Sequence, residues 1–219
     1  MNQEDVLEKL MVITNRKQTC RPLPEWTEEL CAAGVRLIQL REKELDAAAL
    51  YHLALQMRRI TAHYGTKLLI NDRADVALAV EADGVVIPET GFPIQVVKKI
   101  NPKFLVAKSV HSIEGAKAAQ EHGAHFIIFG HIFETESKPA LPPRGLAALK
   151  DVVQSVKIPV FAVGGITAAN AKLCLEHGAF GVAVISEVAT AVDVTQRVQA
   201  LLRALVQPAA SLKSQAVKT

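Results

Sequence analysis

Cysteine is scarce in this chain. Cys20, Cys31 and Cys174 are the only three in 219 residues, far apart, with no Cys-x-x-Cys and no histidine at metal-ligand spacing. That pattern excludes a disulfide scaffold and a thiolate metal centre, and it predicts free thiols in a reducing compartment. Long hydrophobic runs are missing too. No apolar stretch approaches the roughly 18–20 residues that span a bilayer, and the acidic opening Met-Asn-Gln-Glu-Asp carries no secretory segment. A cytoplasmic protein with no membrane partner is therefore expected. Nor is there a dominant charge: 25 Lys and Arg against 22 Asp and Glu leave a formal +3. An excess so small and scattered gives nucleic acid no footprint, although it suits an anionic small molecule.

What is present is a core. Half the residues are hydrophobic and 21% are charged, enough for one sizeable domain. Apolar runs of strand length lie at residues 10–14, 36–40, 67–70, 85–87, 104–110, 126–130, 159–163 and 182–185. Helical patterns separate them, at 24–33, 45–64, 93–100, from Ser112 onward, to about 156, and after the last strand to about 206. Ser112 and Thr167 are candidate N-caps. The joints also repeat: Ala-Ala-Gly34-Val, Ala-Asp-Gly84-Val, Glu-His-Gly123-Ala and Glu-His-Gly178-Ala each read as a helix stopped by glycine just before an apolar strand. Eight strands alternating with helices, in repeats of about 20–30 residues, predict an α/β fold: a single-domain (β/α)8 TIM barrel over residues 1–206. The polar remainder, 207–219, is expected to be a flexible tail.

In such a barrel the residues that follow the strands share one pocket at the C-terminal rim. Here those positions hold Arg41, Lys43, Asn71, Asp72, Ser109, His131, Thr135, Lys138, Gly165 and Ser186. Loops are polar in any case, which accounts for Glu89 and Thr90, but three basic groups, an Asn-Asp pair and a histidine at one rim ask for more. Gly164-Gly165 after strand seven and Ile185-Ser186 after strand eight match the usual barrel phosphate site, where backbone N–H groups hold a dianion without metal. Of the seven histidines, His122 and His177 precede helix-ending glycines, His52 and His63 lie in a helix, and His125 opens a strand at the far rim. His111 is undecided. His131 follows Phe-Ile-Ile-Phe-Gly130, and an imidazole there can give and take a proton near neutral pH. Asp72 reads equally as a metal ligand, a partner of Arg73 or a helix cap, and no second aspartate follows strand four.

Six dispersed motifs resemble those of the thiamine phosphate synthase superfamily, in order, over about residues 10–205. They are Gln39-Leu-Arg41-Glu-Lys43, Asn71-Asp72-Arg73, Ser109-Val-His111, Thr135-Glu-Ser-Lys138, Gly164-Gly165-Ile and Val-Ile185-Ser186. Synthases of that superfamily join a pyrimidine pyrophosphate to a thiazole phosphate, and typically carry Gly-Gln-x-Asp after strand four, its Asp a Mg²⁺ ligand. This chain has Pro88-Glu89-Thr90-Gly91 instead. After strand six it reads Gly130-His131-Ile-Phe-Glu134-Thr135, similar to the TenI-type thiazole tautomerases, while Asn71-Asp72 keeps the synthase form.

The resemblance therefore implies a cofactor-independent isomerase that turns an exocyclic-ylidene thiazole carboxylate phosphate into the aromatic thiazole. His131 is expected as its catalytic base, with no metal. Arg41, Lys43, Asn71, Ser109, Thr135, Lys138, Gly165, Ile185 and Ser186 are expected to bind the phosphorylated thiazole. A homo-oligomer, a dimer or larger, is implied as well. The alternatives are a Mg²⁺-dependent thiamine phosphate synthase and a non-catalytic barrel that senses a thiazole or thiamine phosphate.

Overall fold

The computed structural model describes residues 8–135 and 141–206. Lys138 and the expected tail at 207–219 lie outside the described residues. Eight parallel strands close into a barrel, each paired with the next and β8 with β1. They are β1 Leu10–Ile13, β2 Leu37–Leu40, β3 Lys67–Asn71, β4 Gly84–Ile87, β5 Leu105–Val110, β6 Phe126–Gly130, β7 Val160–Val163 and β8 Gly181–Val184. Around them run α1 Leu23–Ala32, α2 Ala47–His63, α3 Ala74–Ala79, α4 Ile94–Ile100, α5 Ile113–Glu121, α6 Gly145–Ser155, α7 Ala171–Glu176, α8 Ser186–Ala189 and α9 Val194–Leu205. The predicted (β/α)8 barrel is the observed one.

The strands read as nearly continuous apolar runs because both of their faces are covered. One face looks into the barrel, where Met11, Leu37, Leu69, Val86, Ala107, Phe126, Phe161 and Ala183 form a closed core. The rings of Phe126 and Phe161 pack 5.1 Å apart. The other face packs against the helices through a larger cluster that includes Leu10, Ile38, Leu68, Ile127 and Val182. Each large side chain so buried is worth about 1.5–3 kcal/mol. The interior is therefore solid, and chemistry is confined to its ends.

Helix starts follow local chemistry. Asp46, Ser112 and Asp193 accept the amides of Ala49, Gly115 and Gln196, capping α2, α5 and α9. Thr167 is not the cap of α7. The chain makes a turn there instead, with the Thr167 amide donating to Asn170 Oδ1 at 2.8 Å, and the helix begins at Ala171. The glycine repeat also divides in two. Gly34, Gly123 and Gly178 end helices with positive φ, as expected. Gly84 does not: it is the first residue of β4, and a Cβ there would collide with the Leu105 carbonyl. Its hydrogen side chain lets β4 and β5 approach, while the turn after α3 is made by Glu81 at φ 54°.

Candidate active site

The inward register of the strands turns polar as it rises. Above the apolar layer come Ile13, Gln39, Asn71, Pro88, Ser109, Ile128, Gly130, Val163 and Ile185, and they line a cavity of about 270 Å³ at the C-terminal mouth. Alternation alone selects these side chains, because residues two apart on a strand share a face. Gln39 is almost fully buried, and its Nε2 donates to Asn71 Oδ1 at 2.9 Å. The Asn71 amide is thereby oriented, with its nitrogen left to donate.

Gly164 and Gly165 leave β7 with φ of 98° and 63°. Neither position accepts a side chain, since a Cβ at Gly164 would strike His131 and one at Gly165 would strike the Glu134 carbonyl. Asn170 Nδ2 holds the Gly165 carbonyl at 2.9 Å. The amides of Gly165 and Ser186 donate to no backbone acceptor among the described residues. Ser186 opens the short helix α8, so this wall offers N–H donors to an anion.

His131 sits just past β6 and is only 6% exposed. Its Nε2 lies 3.1 Å from the Leu141 carbonyl, which can only accept, so Nε2 carries the hydrogen. The peptide before it is held twice over. His111 Nδ1 donates to the Gly130 carbonyl at 2.8 Å, and Arg144 Nε donates to the same oxygen at 3.1 Å. The Arg144 guanidinium lies 5.9 Å over the Phe129 ring. His111, left open by sequence, thus lines the cavity and fixes the rim of β6, with its Nε2 4.0 Å from Glu89.

Across β1 stands the basic wall of Arg41 and Lys43. The Arg41 amide donates to Thr14 Oγ1 at 2.9 Å, and that hydroxyl donates to the carboxylate of Glu42. Glu42 also accepts the Arg16 amide through both oxygens, at 3.1 and 3.2 Å. Glu42 is 4% exposed, and burial pushes its carboxyl pKa up despite those hydrogen bonds. Sequence reading passed over Glu42 because charged residues between strand and helix are ordinary. Its signal was position: Arg41 and Lys43 on either side face the cavity, which turns Glu42 toward the neighbouring strand.

Every predicted site residue that the structure describes lines this one cavity: Arg41, Lys43, Asn71, Ser109, His131, Thr135, Gly165, Ile185 and Ser186. Lys138 lies outside the described residues. Asp72 is displaced from the cavity. Its backbone takes φ 64°, and it borders an adjoining hollow of about 340 Å³ with Glu42, Lys43, Arg73 and Thr90.

The fit of a divalent cation beside Asp72 can be judged from its neighbours. A Cβ at Gly91 would lie 2.7 Å from Asp72 Oδ1, so position 91, where a second carboxylate would have to stand, is bare. Among the described residues no three His, Cys, Asp or Glu side chains gather. Basic groups border the same hollow, Lys43 and Arg73, and Lys108 Nζ donates to the Pro88 carbonyl at 2.8 Å. Mg²⁺ asks for oxygen ligands in near-octahedral order, and these residues do not fit a metal site made by the protein alone.

Comparison with known proteins decides the family. The model of the thiamine monophosphate synthase family matches residues 10–188. The chain belongs to that family. Within it, the chain is 39% identical over 193 residues to the thiamine-phosphate synthase of Pyrococcus furiosus, covering 88% of this chain and 92% of that one. It is 38% identical over 195 residues to the thiamine-phosphate synthase of Clostridium acetobutylicum, again covering 88% and 92%. Among solved structures, thiamine phosphate pyrophosphorylase from Pyrococcus furiosus superposes with a TM-score of 0.84 at 37% identity, covering 92% of this chain and 96% of that one.

These relatives correct one expectation. The tautomerase assignment, with His131 as the base of an isomerase, is overturned, because proteins this similar along nearly the whole chain are named for the synthase reaction. The error came from giving the six residues Gly130–Thr135, and the missing aspartate after strand four, more weight than the rest of the barrel. Of the membrane question, the structure says that no described helix is long and apolar enough to cross a bilayer.

Proposed function

We propose that this chain is a thiamine-phosphate synthase, a transferase that joins hydroxymethylpyrimidine pyrophosphate to thiazole phosphate. The observation that carries the reading is a single cavity with two unlike anion-holding walls. On one side are the amides of Gly165 and Ser186, and on the other Arg41 and Lys43 with the Asn71 amide. Two anionic substrates meeting in one pocket suit such a division. The similarity to named synthases supports the same reading.

In this proposal the thiazole phosphate lies against Gly165, Ile185 and Ser186, and the pyrophosphate of the pyrimidine lies toward Arg41 and Lys43. The bond between the pyrimidine methylene carbon and the pyrophosphate oxygen breaks, its electron pair leaving with pyrophosphate. A bond forms from the thiazole nitrogen to the same carbon. Fixed cations at the leaving oxygen stabilise charge as it develops, and a pocket that holds both partners removes the entropy of their encounter. No proton is taken from carbon, so the reaction needs no general base. His111 and Arg144 act on the backbone beside His131 and keep the wall between the two ends in shape.

The test is direct. Purified protein is given both substrates with millimolar Mg²⁺, and thiamine phosphate and pyrophosphate are quantified by chromatography. Stoichiometric appearance of both supports the assignment. Absence of product, with the substrates intact, overturns it.

A further inference from the structure

The chain leaving β7 has its carbonyls claimed one after another. The Val163 carbonyl accepts the Ile132 amide at 2.9 Å, and the Gly164 carbonyl accepts the Phe133 amide at 3.0 Å. The next, that of Gly165, accepts Asn170 Nδ2 at 2.9 Å. Asn170 Oδ1 meanwhile accepts the Thr167 amide at 2.8 Å. Both partners are backbone groups of fixed polarity, so the side-chain amide has one orientation, oxygen toward Thr167 and nitrogen toward Gly165. Asn170 does not line the cavity, whereas Gly164, Gly165 and Ile166 do.

A trans peptide is planar, with its N–H directed away from its C=O. The Gly165 carbonyl and the Ile166 amide belong to one such unit. Asn170 holds the carbonyl end, so the amide end faces the other way. The Ile166 amide donates to no backbone acceptor among the described residues, and Ile166 is buried. A buried N–H without a partner is costly. An anion in the cavity would satisfy it.

We propose that Asn170 is a positioning residue for the phosphate end of the site, turning the Ile166 amide into the cavity as a third backbone donor beside those of Gly165 and Ser186. The inference rests on the reading of this wall as a phosphate seat, and it adds a residue that touches no substrate. A phosphate group offers three strong acceptor oxygens, and hydrogen bonds to a charged acceptor are the strong ones. Aspartate at position 170 would still accept from Thr167, but it would set an oxygen against the Gly165 carbonyl.

The probe is inorganic phosphate, titrated into the whole ¹⁵N-labelled protein and followed through its assigned amide resonances. In wild type the Gly165, Ile166 and Ser186 amides should shift together with one Kd. In Asn170→Ala that Kd should rise about tenfold or more, the scale of one lost hydrogen bond to a charged group. The Ile166 response should vanish there while that of Ser186 remains, a pattern that a general loosening of the fold would not give. Asn170→Asp should bind at least as weakly as Asn170→Ala. The wild-type titration depends on no variant folding: phosphate that moves Gly165 and Ser186 but leaves Ile166 still overturns the proposal. So does wild-type affinity in Asn170→Ala, even beside a weak Asn170→Asp, because charge alone would then account for the loss. None of these readouts uses turnover, so a chain that makes no thiamine phosphate yet shows all three shifts would lose the synthase reading and keep this one.

Discussion

Gly164 lies flush against His131, so that a Cβ on the glycine would run into the Cβ of the histidine. One residue just past β7 therefore fixes where the side chain after β6 can stand. Gly164 also has φ 98°, a conformation that L side chains rarely adopt. Gly164→Ala should cost about 2–4 kcal/mol, the sum of backbone strain and overpacking. Chemical denaturation would show it as a lower midpoint with an unchanged slope. A variant as stable as wild type would mean that His131 has room to move.

His131→Asn separates a wall from a base. Joining pyrimidine to thiazole removes no proton from carbon, so the variant should keep synthase turnover within about tenfold of wild type. General acid–base catalysis is typically worth roughly 10²–10⁴-fold. Single-turnover rates at saturating substrates would decide it. A loss beyond a hundredfold, with the fold intact, would make the imidazole a participant in the chemistry.

Much of this was legible in the chain. Apolar runs at even spacing made the barrel readable, because a parallel sheet covered on both faces leaves no alternation to confuse with anything else. Position at or just past the end of a strand then gathered Arg41, Asn71, Ser109 and Ser186 into one cavity without any knowledge of contacts. Three things stayed hidden. Glu42 owes its role to Thr14 and the Arg16 amide just past β1, a neighbourhood that one-dimensional spacing does not carry. Gly84 looked like a helix stop and is a strand-packing glycine, because both uses share the same residue type. The reaction itself was misread, since His131 is equally at home as a base and as a buried wall held by the Leu141 carbonyl.

The basic wall predicts an asymmetric kinetic effect. Arg41→Ala or Lys43→Ala should raise KM for the pyrimidine pyrophosphate by about 10–100-fold, the scale of one lost charged hydrogen bond. KM for thiazole phosphate should stay within a few fold, because Gly165 and Ser186 hold that substrate through backbone amides. Steady-state kinetics with each substrate varied in turn would reveal the split. Equal losses for both substrates would place the two anions together and remove the two-ended reading of the cavity.

Glu42 gives the protein a pH signature. Burial raises its pKa in the folded state, so between the ordinary carboxylate value of about 4.3 and the raised folded value the native state binds more protons than the unfolded chain. Stability from this group must therefore fall as pH climbs through that window, and the loss is complete above the folded pKa. Glu42→Gln, which cannot ionise, should lack this contribution. The stability difference, wild type minus Glu42→Gln, should shrink as pH rises from 4 toward neutrality, as measured by urea unfolding at each pH. A difference that grows over the same range would mean that Thr14 and the Arg16 amide outweigh burial, and that the ionised carboxylate is the form the fold prefers.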